Sequence, residues 1–192
     1  MTGLEFLLRR QSIPSRLLAA PGPDAAQCRA LLAAALRVPD HGRLAPFRLL
    51  TLTGPARLAL GSMSAELALK REPDRDPALV GKDRERFAAA PLIVVVVACI
   101  SAGHKVPEQE QLLSAGCVAY NLLLGAQALG FGAQWLTSWV AYDRAVADWL
   151  GLGADERVIA FVHIGSASVP GVDRPRPDPA EYVIAWQPPD ER

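Results

Sequence analysis

The sequence is short of cysteine, of histidine and of net charge, and each shortage closes off a class of function. It has three cysteines, three histidines, and 20 basic side chains balanced by 20 acidic ones in 192 residues. Cys28, Cys99 and Cys117 are an odd set in apolar surroundings without close pairing. They read as buried thiols of a reducing compartment, not as a disulfide framework. Zero formal net charge argues against a nucleic-acid binder that works by broad phosphate neutralisation, while leaving room for a local basic pocket. His41, His104 and His163 share no metal-ligand spacing with one another or with the cysteines, so metal catalysis is unsupported. The longest apolar run, APLIVVVVACI, falls well short of the roughly 20 residues that cross a bilayer as a helix. The opening MTGLEFLLRRQS reads as an amphipathic helix start ending in charge, not as a signal peptide. A soluble cytoplasmic protein is expected, with no nucleic-acid or membrane partner.

Several catalytic signatures are missing too. A dinucleotide-binding domain needs a glycine-rich turn directly after its first strand. Here the best glycine cluster, Gly125, Gly130 and Gly132, follows a helix and misses the spacing. The phosphate-binding P-loop is absent, and GSMS and GSAS lack the second glycine of a nucleophile elbow. Cys117 with His104 would make a nucleophilic pair, but Cys117 lies inside an apolar helix and reads better as a small core residue.

What is present is a core. A 51% hydrophobic content over this length suits one domain spanning residues 1–192. Short helix character runs from Leu4 to Arg10. A second helix starts at the N-cap Asp24 and ends near Val38, because Pro39 disfavours helical geometry before it. FRLLTLTG is a strand, and the chain from Ala56 to Phe87 is helical with an interruption at EPDRDP, the expected mobile excursion. PLIVVVVACI lacks polar alternation and fits a central strand covered on both faces. Glu108 to Leu129 is a long helix, apolar nearly all round, so it is buried on several sides. GAQWLTSW is a strand, AYDRAVADWLGL a helix closed by Gly151, and RVIAFVHIG a strand. The tail RPRPDPAEYVIAW is extended and then strand-like. The sum is an α+β layered domain without internal repeats.

One connection is odd. RVPDHGRLAPFRLL joins a helix to a strand, yet carries Arg37 and His41, which a turn does not need. Three stretches together account for it. LEFLLRRQSIPSRL resembles the opening signature of the flavin-dependent nitroreductases. ALRVPDHGRLAPFRLLTL resembles that family's second block, and HKVPEQEQLLSAGCVAYNLLLGAQALGFGAQW its third, the central helix followed by Gly-x-Gly and a strand. The ordered set is similar to the small, single-domain bacterial branch of the family.

That resemblance implies a layered fold with a central, mostly antiparallel sheet flanked by helices, and a homodimer with one FMN at each interface. Arg10, Gln11 and Ser12 would lie against its ribityl chain and phosphate, where the forked donors of Arg suit phosphate oxygens. An ordinary solvated helix end would explain Arg10 equally well. Arg37 and His41 would reach the cofactor from the other subunit, and which of them faces flavin N1 stays open; Asp40 and His41 could also simply cap a turn. Trp135, Leu136 and Thr137 match the strand segment that meets the cofactor, although Trp135 could be core. Gly125, Ala126, Gln127, Ala128, Leu129 and Gly130 match a stretch attributed to NAD(P)H binding, or are helix-packing residues. Arg174 and Arg176 could reach the phosphate or belong to an exposed tail. The chain departs from the pattern at Gln11 and Leu136, where basic residues are usual, and at Thr137, where Ser is usual.

The implied activity is an FMN-dependent oxidoreductase working by alternate substrates. A hydride would pass from NAD(P)H through flavin N5 to an electron-poor acceptor such as a nitroaromatic or quinone. The alternative is a non-catalytic FMN-binding protein, a cofactor store or sensor.

Overall fold

The protein is seen in a computed structural model that describes residues 2–188. Its centre is the apolar run expected to be a covered strand. β3 (Leu92–Cys99) is buried at every position but its last, and each fully buried valine there contributes on the order of 1.5–3 kcal/mol. β3 pairs antiparallel with β2 (Phe47–Thr53) on one side and β5 (Glu156–Ala167) on the other. β4 (Gly132–Leu136) and the two-residue β1 (Leu18–Ala19) pair antiparallel with β5. The sheet runs β1-β5-β3-β2, with β4 beside β5.

Alternation along the strands builds two cores. Leu92, Val94 and Val96, with Val162, Ile164 and Ala133, face α2 (Ala25–Ala35) and α5 (Glu108–Ala128). Ile93, Val95, Val97 and Phe161 face the other way, packing with Leu60 of α3 (Gly54–Arg71), with Phe87 after α4 (Pro77–Glu85), and with Val146 of α6 (Arg144–Trp149). Gly61 lets α3 and α4 touch, since a Cβ there would collide with the Arg84 carbonyl. The fold is the expected α+β arrangement, and no helix among the described residues is long and apolar enough to cross a membrane.

Several boundaries differ from expectation. α1 is Gly3–Leu8, closed by Arg9 as its C-cap, so Arg10 lies beyond it. The expected break at EPDRDP separates α3 from α4, but Arg75 within it is tied to Glu72 and Asp83, which anchors the turn. GAQWLTSW is strand only as far as Leu136, because Ser138 takes a backbone conformation that ends the ladder. The helix expected from Ala141 starts at Arg144, where Asp143 caps it by accepting from the Ala145 and Val146 amides. The strand-like tail is instead one helical turn, α7 (Pro179–Tyr182), capped by Asp178, with irregular chain after it. Its β-branched residues have no sheet edge beside them, and β propensity expresses itself only against a partner.

Candidate cofactor-binding site

After α1 the chain runs along the outer side of β4. The Ile13 amide donates to the Ala133 carbonyl (3.0 Å), and the Ser15 amide donates to Gln134 Oε1 (2.5 Å). With Ile13 buried, the segment separates two hollows. One, of ≈ 290 Å³, lies toward α5 and is lined by Gln11, Ile13, Gln127, Gly130 and Gly171 among others. Gln11 Oε1 is buried without a hydrogen-bond partner among the described residues. The other hollow, of ≈ 600 Å³, lies toward α4 and is lined by Ser15, Arg16, Lys82, Glu85, Arg86 and the Ala88–Ala89 pair.

The second hollow has the chemistry of a site for a phosphorylated aromatic ligand. Arg16, Lys82 and Arg86 outnumber Glu85, leaving positive charge for a dianion. Ala88 and Ala89 offer a wall without long side chains, against which a planar ring can lie. The wall is held from behind: Arg57 Nη1 donates to the carbonyls of Phe87 (3.3 Å) and Ala88. Arg10 Nη1 donates to Ser12 Oγ (3.4 Å), and Arg176 Nη2 donates to the Arg10 carbonyl (3.1 Å), so one tail arginine joins this segment. Among the described residues, Arg174 bonds only its neighbour Asp173, through its amide. FMN, the group implied by the resemblance, fits this donor set.

Where β4 ends, the backbone is strained. The ladder stops at Leu136 opposite Phe161, and Ser138 holds φ 56° and ψ −178°. That region suits glycine and costs a larger residue on the order of 1–3 kcal/mol. The next residue is anchored: Trp139 Nε1 donates to Asp83 Oδ1 (3.1 Å), and the Arg71 guanidinium lies 5.9 Å from the indole centroid. Asp83, buried in α4, also accepts from Arg75 Nη2 (3.1 Å) and Arg86 Nη2 (2.9 Å). Burial would raise its pKa, but donation from Arg86 and Trp139 outweighs it and keeps the carboxyl below its ordinary range. Trp135 packs against the α5-side core, whereas Leu136 pairs with Phe161 and brings no charge. On the α4 side of β5, His163 is fully buried and stacks on Phe87 at 5.7 Å. Neither ring nitrogen has a partner among the described residues. Burial, helped by the Arg86 charge, lowers its pKa to about 4.

The loop of Arg37 and His41 is built around Asp40. Its carboxylate accepts from the amides of Leu44 (3.1 Å) and Ala45 (2.9 Å). This stabilises a chain in which Gly42, Arg43 and Ala45 all have positive φ. α5 holds the loop from beneath: Ser114 Oγ donates to the Pro39 carbonyl (2.8 Å), and Asn121 Nδ2 to the Arg37 carbonyl (3.0 Å). His41 and Glu110 of α5 pair at 2.7 Å, in a hollow shared with Cys117. Measured along α5 at about 1.5 Å of rise per residue, His41 at Glu110 lies roughly 25 Å from Gln127, and the Arg37 carbonyl at Asn121 about 9 Å from it.

The chain therefore brings Arg10, Gln11 and Ser12 beside β4 but holds Arg37 and His41 along α5 instead. In the stretch Gly125–Gly130, Gly125 lies against Leu31 of α2 and Gly130 takes the left-handed turn after α5. Gln127 there lines the smaller hollow and donates to the Phe6 carbonyl (3.0 Å). Sequence reasoning missed Lys82, Arg86, Asp83 and Trp139. The only signal for the first three was the density of charge in GKDRER.

Residues 7–166 match the profile described as the Nitroreductase family. A curated relative from Escherichia coli K12, named "Putative NAD(P)H nitroreductase YdjA", is 31% identical over 184 residues, covering 95% of this chain and 98% of its own. The crystal structure of a nitroreductase-like family protein from Bacillus cereus superposes with a TM-score of 0.78 at 18% identity, covering 97% of both chains. A variant of the FMN and NADPH-dependent nitroreductase NfnB, from Sphigopyxis sp. strain HMH, superposes with a TM-score of 0.75 at 21% identity, covering 97% of this chain and 99% of its own.

Proposed function

The chain belongs to the nitroreductase family of oxidoreductases, and from that premise we propose that it is an FMN-dependent NAD(P)H oxidoreductase acting as a homodimer. The observation that carries this reading is the cation-lined hollow of Arg16, Lys82 and Arg86, bordered by Ser15, whose amide is bonded to Gln134 of β4. Held there, FMN would supply hydride-transfer chemistry between NAD(P)H and an electron-poor acceptor such as a nitroaromatic or quinone. The chain's own part is to bind and orient. Arg10, Ser12, Arg16 and Lys82 would meet the phosphate and ribityl oxygens, while Gln11, lining the smaller hollow across the segment, would need to turn to bring its unpartnered amide oxygen to the same ligand. Trp135, Leu136 and Thr137 border the ring through the end of β4. The whole of residues 1–192 forms one flavin-binding unit.

Geometry supports the homodimer reading. His41, paired with Glu110, lies roughly 25 Å along α5 from Gln127, whereas the Arg37 carbonyl, held by Asn121, lies only about 9 Å from it, so His41 is the residue whose cofactor role calls for a second copy. A second copy can present its own His41 loop to the first. Exposed Leu4, Leu8, Leu113 and Tyr120, with Val183, Ile184 and Trp186 of the tail, offer apolar surface for such pairing.

The test is the visible spectrum of the purified protein under anaerobic conditions, before and after NADPH or NADH. Bleaching of the flavin band, reversed by a nitrofuran or quinone, supports the enzyme. A protein that stays colourless after FMN reconstitution overturns it. A second reading, a flavin store or sensor without turnover, draws on Leu136, which brings no charge to the site. It is favoured if FMN binds and neither nicotinamide reduces it.

A further inference from the structure

Asp83 is a buried carboxylate that touches two parts of the site at once. On its own helix it accepts from Arg86, whose side chain lines the α4-side hollow. Across the gap it accepts from the indole of Trp139, the residue directly after strained Ser138. The Thr137 and Ser138 amides follow the last ladder pair of β4, and neither donates to a backbone or side-chain acceptor among the described residues. Both amides are thus left without a protein acceptor among the described residues at the end of β4. A serine left to itself would relax out of the conformation at Ser138. The 3-10 turn after it, in which the Ala141 amide donates to the Ser138 carbonyl (3.2 Å), carries the Trp139 anchor back to that peptide.

We propose that Asp83 is a positioning residue for the flavin: through Trp139 it keeps the Thr137–Ser138 amides turned to the ligand, and through Arg86 it keeps a cation on the facing wall. The inference rests on the reading above and goes beyond it, since Asp83 itself touches neither flavin nor substrate. It links the cavity wall that Arg86 lines to the segment that ends β4, more than 50 residues away in sequence.

The experiment compares FMN affinity, by quenching of flavin fluorescence, and the flavin midpoint potential in wild type and variants. Trp139→Phe removes one hydrogen bond and leaves the arginine contacts. It is expected to weaken FMN binding roughly 3- to 10-fold and to shift the potential. Asp83→Asn is expected to do more. The discriminating variant is Trp139→Phe combined with Ser138→Gly. Glycine adopts the required backbone without help, so the double variant should recover wild-type affinity and potential. If Trp139→Phe binds FMN as wild type does, with the same potential, the proposal is wrong. It is equally wrong if Ser138→Gly fails to rescue, because the indole then acts only through packing. Should Asp83→Asn fail to fold, the tryptophan pair decides alone. Wild-type protein that takes up no FMN removes the functional reading, and this inference with it; FMN-binding wild type with indifferent variants removes the inference alone.

Discussion

His41 and Glu110 meet at 2.7 Å, joining the Asp40-braced loop to the first turn of α5. The contact occupies Nδ1 and leaves Nε2 pointing away from the carboxylate, which gives the ring a defined orientation. Both side chains are about half exposed, so the pair adds little to folding. Its value lies in direction.

Glu110→Ala should therefore leave thermal stability nearly unchanged and weaken FMN retention several-fold, with Glu110→Gln intermediate. Fluorescence titration measures this, and equal affinity in all three proteins would separate His41 from the cofactor. In a mixed dimer carrying His41→Ala in one subunit, the loss should appear at the site built on the other subunit's Arg10 segment.

Arg10→Ala should cost about 1.5–3 kcal/mol of FMN binding if its contact is a charged hydrogen bond to phosphate. Isothermal titration of the apoprotein with FMN, repeated with riboflavin, checks it. The variant should lose affinity for FMN and little for riboflavin; an equal loss for both would point to a general structural effect.

His163 sets an acid limit. Its folded pKa of about 4 lies below the ordinary 6.5, so between those values the unfolded chain binds the extra proton. The contribution of the neutral ring is complete above about pH 6.5 and is lost as pH falls toward 4. At about 1.4 kcal/mol per unit, the loss is on the order of 3 kcal/mol. Glu156, held near pKa 2 chiefly by Arg48 and ordinarily near 4.5, adds a second window below that one. His163→Phe should flatten the stability profile between pH 6.5 and 4 while leaving the lower window. Urea melts across pH measure both, and an unchanged upper slope would show that the imidazole finds a partner.

Gly61→Ala should destabilise by about 1–3 kcal/mol, because the added methyl meets the Arg84 carbonyl and must push α4 from α3. α4 also carries Lys82 and Arg86, so flavin affinity should fall with stability. Chemical melts and FMN titration on the same variant test the coupling. Loss of stability with unchanged affinity would mean that α4 moves without moving the cavity wall.

How much of this was legible in the sequence depends on where the determining physics lies. The run from Leu92 declared its strand because eight residues offered nothing polar to a solvent face. α5 was readable to within a residue at each end, Pro107 before it and Gly130 after it. The tail misled, because YVIAW has strand composition and no edge to pair with. The excursion at EPDRDP misled in another way. Its charges looked solvated, yet Arg75 and Asp83 pair inward and fix the wall that Arg86 lines. Ser138 was invisible, since nothing in a serine announces a backbone that glycine would prefer. At the loop after α2, Arg37 and His41 drew notice, but Asp40, which holds the loop's shape, looked like an ordinary turn residue.

α5 reaches from the His41 loop to the wall around Gln11. In a symmetric pair, each such rod would present the His41 loop at its beginning to the partner's flavin, while its end lies against the Gln11 segment that borders its own. Cofactor retention would then obey mass action between subunits: dilution that parts the pair strips both ligands together. Free FMN, supplied in excess, would in turn tighten the association of the chains that hold it.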